Sequence, residues 1–554
     1  MTTAPDPDLA GLPVPALLAE ARRRFGDRPA MEFQGRRWSY ADLGRMVDRL
    51  TRGLQGLGAG PGTRVGLCLP NMPWFVAFYY AALAAGATVV NTNPLYVERE
   101  LRHQITDSGT TIMVVADLAA IADKVRAVAE ESGLRHIVLC PIAAVLPPGK
   151  GALYRLLKRR ETVRAAGDPR IVPVARLLAD PTPPAPVAID PERDIAVLQY
   201  TGGTTGTPKG AMLTHANLTV NCRQVVRHMP SLRPGQEVTL GVLPLFHVFA
   251  MTSVLNFSVA VGAEMILQPR FELARVIRAI ERQRPTIFPA VPTIYGAICA
   301  EAERHRHDLS SIRVSISGGA PLPSEVRERF ERATGCRLVE GYGLSEASPV
   351  VACNPPEGRI KDGTVGIPML GTSVEIRDLD DPHRVLPAEA RGEVCVRGPQ
   401  VMRGYWNRPS ETEAVFVDGA LRTGDVGTLD ADGYLSILDR LKDVILCGGY
   451  SVYPRVLEEA LYQHPAVAEA VAIGIPDAYR GQAPKAFVTL RPGAAATPAE
   501  LRAHLAGYVS KIELPREVEI RASLPRTMIG KLSKKELVAE AEAEAAAAVD
   551  GARH

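Results

Sequence analysis

One uncharged stretch of 19 residues, at positions 72–90, constrains the fold more than any other feature of the sequence. It must be buried, either in a bilayer, which takes about 20 residues of helix, or in a large protein core. Pro73 near its start, Gly86 near its end and the β-branched residues that follow favour a buried helix and then a buried strand over 87–90. No second stretch of this kind accompanies it, so we expect a core helix.

The neighbouring segments continue this pattern. Residues 43–57 have helical periodicity, residues 64–69 form a short apolar run, and strands alternate with helices to about residue 375. Such alternation predicts βαβ units and parallel sheets. The pattern lapses between residues 141 and 191, which we expect to be a loop region.

The C-terminal part of the sequence predicts a different arrangement of strands and helices. Short strands and turns over 374–438 predict an antiparallel β-rich subdomain, and a compact α+β pattern follows Lys442. The predicted fold class is therefore α/β, with a β-rich subdomain and a small mobile α+β C-terminal domain. The expected boundaries are 1–438 for the N-terminal domain, 439–443 for a hinge and 444–554 for the C-terminal domain.

Composition excludes several classes of protein. The 554 residues include 64 Lys+Arg and 61 Asp+Glu, a formal net charge of +3, so no basic excess favours binding to nucleic acid. The eight cysteines contain no CxxC pair, which predicts reduced, buried thiols rather than a disulfide framework or a zinc site. The N-terminus lacks the pattern of a secretion signal. We expect a cytoplasmic protein.

An apolar strand runs directly into a glycine- and threonine-rich loop at 196–212, AVLQYTGGTTGTPKGAM. Glycines let backbone N–H groups approach an oxyanion, threonine hydroxyls add donors, and Lys209 adds a cation. These features predict a loop that binds polyphosphate. It is not a Walker A loop, because no Gly-Lys-Ser/Thr opens a helix at the required spacing. A flexible surface loop is the alternative.

TGGTTGTPKGAM resembles the signature loop of the adenylate-forming enzymes, which comprise acyl-CoA synthetases, adenylation domains and luciferases. Six further motifs follow in the order of that family: FHVFA (246–250), GGAP (318–321), EGYGLSEASP (340–349), TGD (423–425), DRLKDVILCGGYSVYP (439–454) and PRTMIGKL (525–532). Together with GPQVMRGYWNRP (398–409), they are most similar to bacterial long-chain fatty-acid–CoA ligases. The resemblance implies that ATP activates a medium- to long-chain fatty acid, through acyl-AMP, to acyl-CoA.

The resemblance also implies a nucleotide site. Thr201 and Glu346 are expected to hold Mg²⁺, which prefers oxygen ligands together with phosphate. Tyr342 is expected to face adenine, Asp425 to accept hydrogen bonds from the ribose hydroxyls, and Arg440 to contact ribose and phosphate. The expected ATP and AMP site comprises Thr201, Gly202, Gly203, Thr204, Thr205, Gly206, Lys209, Gly318, Gly319, Ala320, Pro321, Glu340, Gly341, Tyr342, Gly343, Ser345, Asp425 and Arg440.

Three further residues have roles in catalysis by resemblance. Lys531 is the family's catalytic lysine, whose ammonium stabilises charge on the α-phosphate and the carboxylate during adenylation. His247 lies beside the acyl carboxylate, in the slot where relatives that activate amino acids place an Asp, so a free amino acid is disfavoured. Lys442 occupies the hinge about which the C-terminal domain rotates between the two half-reactions.

The resemblance places the tunnel for coenzyme A at Gly448, Gly449 and Tyr450. Some long-chain relatives carry a Trp just after the paired glycines, where this sequence has Tyr450 and Ser451. The preferred chain length therefore stays open. We expect apolar residues after Phe249 and around 291–298 to line the acyl pocket.

Alternative functions share these motifs. An aryl-acid or dicarboxylate–CoA ligase stays open, and so does an enzyme that loads a carrier protein. A fatty-acid-binding protein without catalysis is disfavoured, because Lys209, Glu346, Asp425, Arg440 and Lys531 are all present. The expected ligands are ATP, Mg²⁺, coenzyme A and a fatty acid; the oligomeric state is open, with a dimer among the options.

Residues 153–164, LYRLLKRRETVR, bear on contact with a membrane. One interpretation is an amphipathic helix that lies at the inner face of the membrane, since a long acyl substrate is scarcely soluble in water. The other is an ordinary helix whose basic face is solvated.

Overall fold

The structure is a computed structural model that describes residues 11–163, 167–201, 208–448, 450–477, 479–527 and 531–551. Its helices are α1 (Val14–Phe25), α2 (Tyr40–Gly56), α3 (Pro73–Ala84), α4 (Glu98–Ser108), α5 (Ala119–Ala129), α6 (Pro148–Leu157), α7 (Val174–Leu177), α8 (His215–Arg227), α9 (Val248–Ala250), α10 (Phe257–Val261), α11 (Leu273–Gln283), α12 (Pro292–Ala302), α13 (Ser324–Thr334), α14 (Pro409–Ala414), α15 (Pro454–Tyr462), α16 (Pro498–Leu505) and α17 (Lys534–Gly551). None of these helices has the length and apolar character needed to span a bilayer.

The strands begin and end as follows: β1 (Pro29–Phe33), β2 (Arg36–Ser39), β3 (Arg64–Cys68), β4 (Thr88–Asn91), β5 (Ile112–Ala116), β6 (His136–Cys140), β7 (Ile171–Pro173), β8 (Ile195–Thr201), β9 (Lys209–Thr214), β10 (Val238–Gly241), β11 (Glu264–Leu267), β12 (Ile287–Ala290), β13 (Val314–Ser317), β14 (Arg337–Gly343), β15 (Val350–Cys353), β16 (Ile367–Pro368), β17 (Ser373–Arg377), β18 (Gly392–Arg397), β19 (Phe416–Val417), β20 (Ala420–Leu429), β21 (Leu435–Arg440), β22 (Ile445–Cys447), β23 (Tyr450–Val452), β24 (Val467–Asp477), β25 (Gly481–Leu490) and β26 (Glu517–Ile520).

The first sheet has seven strands in the order β7-β6-β5-β3-β4-β8-β9. All neighbours are parallel except β9, which returns antiparallel beside β8. The uncharged segment supplies α3, which is buried from Pro73 to Leu83, and then the inner strand β4. The prediction of a core helix followed by a strand is confirmed.

The second sheet has nine strands in the order β16-β15-β14-β13-β12-β10-β11-β1-β2. Its centre, from β14 to β1, is parallel, and the strands at both edges are antiparallel. One continuous apolar core joins the two sheets through α1, α2 and α3, with Leu50, Phe78 and Phe288 fully buried in it. The predicted α/β class with parallel sheets is confirmed.

Two smaller units, in which most strands are antiparallel, complete the chain. Strands β17-β18-β20-β19, with β21 beside β20, form the predicted β-rich subdomain. Strands β23-β22-β25-β24, with β26 parallel to β25, form a C-terminal sheet that packs with α15, α16 and α17. All eight cysteines are free, and all are buried, as we predicted.

The region between residues 141 and 191 is more ordered than we predicted. It contains α6, the edge strand β7 beside β6, and α7. A strand of three residues is too short to produce a periodic pattern, so only its pairing with β6 reveals it.

The helix predicted over 153–164 is wrong in its extent, for both interpretations. Helix α6 ends at Leu157, and residues 158–160 form an exposed turn. The chain then reverses to pair Thr162 with Leu118, and the Val163 N–H donates to the Asp117 carbonyl (2.9 Å). These long-range hydrogen bonds compete with a longer helix and stop it.

Candidate active site

The carboxyl ends of the parallel strands bring distant motifs together. His247 follows β10, the GGAP loop follows β13, and Tyr342 lies near the end of β14. The two sheets meet there. The side chain of Gln199, in β8 of the first sheet, donates to the carbonyl of Phe246, which follows β10 of the second sheet (3.2 Å). Open α/β sheets bind ligands outside such carboxyl ends, so this crevice is the candidate active site.

The predicted phosphate loop joins β8 to β9. Its described ends, Thr201 and Lys209, are direct partners in the antiparallel ladder. The Lys209 ammonium forms an ion pair with Glu411 and lies 5.2 Å from the centre of the Tyr405 ring. Five predicted residues of this loop lie outside the described part of the chain: Gly202, Gly203, Thr204, Thr205 and Gly206.

Tyr405 also orients the predicted metal ligand. Its hydroxyl donates to Glu346 Oε1 (2.8 Å), and the Glu346 carbonyl accepts from the Met402 N–H (2.7 Å). Tyr405 itself is held against β9 by a bridge to Ala211. The sequence analysis missed both Tyr405 and Glu411 as site residues. Tyr405 lies in the family segment at 398–409, which was the available signal, but its contact with Glu346 spans 59 positions.

Asp425 is the centre of a buried polar cluster. It lies opposite Arg440 in the β20–β21 ladder, where Oδ1 is 3.0 Å from Arg440 Nε. Its Oδ2 accepts from the Tyr342 hydroxyl at 2.5 Å. Burial raises the pKa of Asp425, and the charge of Arg440 opposes that shift. Burial also raises the pKa of Tyr342 well above its ordinary value, which keeps the phenol a donor.

The two glycines of the GGAP loop leave room for other groups. Gly319 has φ +81°, and a Cβ there would lie 2.6 Å from Cε of Lys531. A Cβ on Gly318 would lie 3.1 Å from the Phe249 ring. A side chain at Gly319 would therefore collide with Lys531 and strain the backbone as well. Ala320 and Pro321 continue the loop at the surface of the crevice.

Lys531 extends from the C-terminal domain into this crevice. Its backbone is fixed by Thr527, whose N–H donates to the Lys531 carbonyl (2.7 Å). Burial lowers the pKa of Lys531 to about 8; Arg440 acts in the same direction and Asp425 opposes it. The ammonium therefore stays mostly protonated at neutral pH but is close to its titration range.

His247 is neutral at physiological pH. Burial, together with the nearby charge of Lys531, lowers its pKa to about 3. Its Nδ1 accepts from the Phe249 N–H (3.3 Å), so Nε2 carries the hydrogen and is a donor. A neutral donor suits a bound carboxylate or acyl phosphate without adding a second cation next to Lys531.

Glu340, which we predicted to lie at the nucleotide, contacts both the segment after the GGAP loop and the C-terminal domain. Its Oε1 accepts from the Leu322 N–H (3.2 Å) and lies 3.8 Å from Nη2 of Arg455, a residue of α15. Burial raises the pKa of Glu340 to about 7, against the opposing charge of Arg455. Its side chain thus connects the GGAP loop to the C-terminal domain.

The remaining residues of the EGYGLSEASP motif shape the backbone. Gly341 pairs with Cys353 in the β14–β15 ladder. A Cβ on Gly343 would lie 2.1 Å from the Pro349 carbonyl oxygen, so only glycine fits there. Ser345 opens the short 3-10 turn that carries Glu346.

Lys442 lies in a 3-10 turn, Leu441–Asp443, between β21 of the subdomain and β22 of the C-terminal sheet. Gly448 and Tyr450 are bonded within the C-terminal sheet, through Arg480 and Cys447 respectively. Within the described chain, this arrangement brings Lys531, and not those two residues, to the Asp425 cluster. Gly449 lies outside the described residues.

Comparison with known proteins places the chain in a family. The model of the AMP-binding enzyme family matches residues 18–406, and the model of the AMP-binding enzyme C-terminal domain matches residues 456–531. The chain belongs to this family, which confirms the resemblance to adenylate-forming enzymes. It is an AMP-forming ligase.

Three known proteins show what the chain is similar to within this family. A long-chain-fatty-acid–CoA ligase of Bacillus subtilis (strain 168) is 41% identical over 546 residues, which cover 96% of this chain and 95% of that protein. A feruloyl-CoA synthase of Amycolatopsis is 36% identical over 513 residues, 92% of this chain and 95% of that protein. Among solved structures, ATP-bound MatB from Rhodopseudomonas palustris superposes with a TM-score of 0.82 at 28% identity, covering 94% of this chain and 98% of that one.

Proposed function

We propose that the protein is an ATP-dependent acyl-CoA ligase that activates a medium- to long-chain fatty acid through an acyl-AMP intermediate. The position of Lys531 carries the proposal. Its ammonium projects from the C-terminal domain over Gly319, beside the Asp425 cluster and His247. A cation there lies where negative charge develops when a carboxylate meets the α-phosphate of ATP.

In the first half-reaction, a carboxylate oxygen attacks the α-phosphorus in line, the α–β bridging bond breaks, and pyrophosphate leaves. Asp425 accepts from the ribose hydroxyls, and Tyr342 provides an aromatic surface for adenine. The Nε2–H of His247 donates to the acyl carboxylate, and Lys531 stabilises charge on the transferring groups. Lys209 draws the β- and γ-phosphates to the loop that follows β8.

The donor set fits Mg²⁺. Thr201 offers a hydroxyl and Glu346 a carboxylate that Tyr405 orients through one oxygen, and hard oxygen ligands of this kind suit a cation that also binds phosphate. The ion would neutralise charge on the phosphate oxygens when bound.

In the second half-reaction, the C-terminal domain rotates about Lys442 and withdraws Lys531. Gly448, Gly449 and Tyr450 then line the passage for coenzyme A. The thiolate attacks the acyl carbonyl carbon, and AMP leaves as the thioester forms. One crevice thus serves two reactions, since a hinge needs only a few residues.

An apolar cavity beside the crevice supports an acyl substrate. It is lined by Phe249, which also packs on Gly318, and by side chains of β13, of β15, of α8 and the residues just after it, and of the segment after β16. Members of this lining include Val225, Met229, Ile316, Val350 and Met369. The cavity measures about 20 Å³. A hydrocarbon chain whose carboxylate lies at His247 would therefore enter it by moving these apolar side chains apart.

Filling that cavity is expected to shorten the preferred substrate. Val225→Phe adds volume to its wall, so kcat/KM for palmitate should fall about tenfold relative to octanoate. Steady-state kinetics with both acids measures the ratio, which a general loss of stability leaves unchanged. An unchanged ratio in a folded variant would place the acyl chain elsewhere.

The pH profile is expected to report Lys531. The protonated ammonium is the active form and its pKa is about 8, so kcat/KM for acyl-AMP formation should be level near pH 7 and fall above about pH 8. Pyrophosphate release between pH 6 and 10 measures this limb. In Lys531→Arg, the fall in kcat/KM should occur at a higher pH. If it occurs at the same pH as in the wild type, another group is responsible for it.

Pyrophosphate release by the purified protein, with and without coenzyme A, tests the function itself. We expect release to rise from acetate through octanoate to palmitate and to need coenzyme A for sustained turnover. Turnover on coumarate or adipate alone would overturn the proposed substrate. Turnover on coumarate would favour an aryl acid as the substrate. This second candidate is supported by the similarity to a feruloyl-CoA synthase.

A further inference from the structure

Helix α6 presents leucines to solvent. Leu153, Leu156 and Leu157 are 54%, 66% and 68% exposed. Their spacing of i, i+3 and i+4 places all three on one side of the helix. The opposite side carries Gly151, which is buried against the Ala143 carbonyl, and Tyr154, which packs on the core. The apolar stripe of α6 therefore points away from the protein.

Basic residues follow this stripe in the turn at 158–160, and Arg155 is exposed on the side of α6 that carries Gly151. Arg155, Lys158, Arg159 and Arg160 are all exposed, and no acid occurs between residues 148 and 160. Lys158 pairs with Glu161 at 2.7 Å, while the three arginines have no acidic partner in the described part of the chain. Four positive charges within six residues exceed the net charge of +3 of the whole chain. This is a local basic surface on a nearly neutral protein.

A second apolar site lies along the same sheet edge. Leu95 and Val97, in the loop after β4, are also exposed. Lys124 in the middle of α5 holds that loop by donating to the Tyr96 carbonyl (2.6 Å), while Ala119 at the start of α5 donates to the Glu161 carbonyl (2.8 Å). Five residues of helix span only about 7.5 Å. The Leu95 loop and the chain that follows the turn at 158–160 thus both lie beside α5, at the carboxyl edge from which the predicted phosphate loop also extends.

We propose that α6 and the turn at 158–160, together with the Leu95 loop, form a surface that docks on an anionic lipid bilayer. The leucines enter the boundary between headgroups and acyl chains, and the arginines remain at the headgroup phosphates. Short helices with an apolar side and flanking Lys or Arg bind such interfaces in this way. The combination of outward leucines and unpaired arginines favours a bilayer over a protein partner, whose surface would need to supply matching acids.

Vesicle sedimentation tests this inference without acid, ATP or coenzyme A, so its outcome is independent of the proposed reaction. We expect the protein to bind vesicles that contain 30% phosphatidylglycerol at low salt, and to bind pure phosphatidylcholine at least tenfold more weakly. Raising the salt should release it, because headgroup attraction is screened. Equal binding to both lipids, or no binding at low salt, would overturn the proposal.

Two double variants separate the contribution of the leucines to vesicle binding from that of the arginines. Leu156→Ser/Leu157→Ser should weaken binding at least tenfold at every salt concentration, through lost apolar burial. Arg159→Gln/Arg160→Gln should weaken it at least tenfold at low salt and flatten the salt dependence. Because all four side chains are exposed, thermal melting should stay at the wild-type temperature and confirm folding.

Matched controls lie on other surfaces. Arg304→Gln/Arg306→Gln removes two exposed charges elsewhere, and Leu370→Ser removes an exposed leucine. Both should bind vesicles as wild type does. If these controls weaken binding equally, the attraction is general and the proposal fails. It also fails if the leucine variant changes the sedimentation coefficient of the free protein but not its binding to vesicles, which would make the stripe an interface between protein chains.

Discussion

Lys531→Ala is expected to lower the rate of acyl-AMP formation by about 10²–10³-fold, the usual cost of removing one preorganised electrostatic group. Thioester formation from supplied acyl-AMP should stay within about threefold of wild type, because the proposed rotation of the C-terminal domain withdraws Lys531 for that step. Pyrophosphate release measures the first half-reaction, and single-turnover conversion of acyl-AMP by coenzyme A measures the second.

Lys535→Ala is the matched control for that variant. Lys535 is four residues away and exposed, so its loss should leave both half-reactions unchanged. Equal loss of both half-reactions in Lys531→Ala would contradict the proposed division of labour. It would instead indicate that the ammonium acts throughout a single arrangement of the two domains.

Lys442→Pro is expected to produce the opposite pattern. Proline fixes φ near −65°, which suits the 3-10 turn Leu441–Asp443 and opposes a rotation that changes this dihedral. Acyl-AMP formation should stay within about threefold of wild type, while coenzyme A-dependent conversion should fall at least about 100-fold. The same two assays provide both measurements.

Lys442→Ala controls for the lost side chain. The alanine variant keeps a free φ, so both half-reactions should remain within about threefold of wild type. Unchanged turnover with coenzyme A in Lys442→Pro would exclude this residue as the pivot. Loss of acyl-AMP formation in that variant would show that proline distorts the arrangement in which Lys531 reaches the crevice.

Much of the fold follows from local patterns. The uncharged stretch predicted α3 and β4 because a proline, a glycine and β-branched residues mark the boundary between them. The short strands after residue 374 likewise predicted the antiparallel subdomain. By contrast, β7 escaped prediction because three residues form a strand only when β6 supplies the hydrogen bonds.

The candidate site likewise contains contacts that could be predicted from the sequence and contacts that could not. The family resemblance implied that Tyr342, Asp425 and Arg440 belong to one nucleotide site, and the structure places all three in one cluster. It did not predict that Tyr405 orients Glu346, or that Glu340 faces Arg455 of the C-terminal domain. Those contacts join segments about 60 and 115 positions apart, for which a single sequence carries no pairing signal.

The sequence by itself determined which side chains are available: a glycine- and threonine-rich loop that ends near Lys209, a lysine at position 531, and a histidine at position 247. These are properties of residue type and order, and folding does not alter them. Only the tertiary structure decided how that chemistry is tuned, with the pKa of Lys531 at about 8 and that of His247 at about 3. The reason is physical: burial and the fields of Arg440 and Asp425 act through space, and no residue determines its own surroundings.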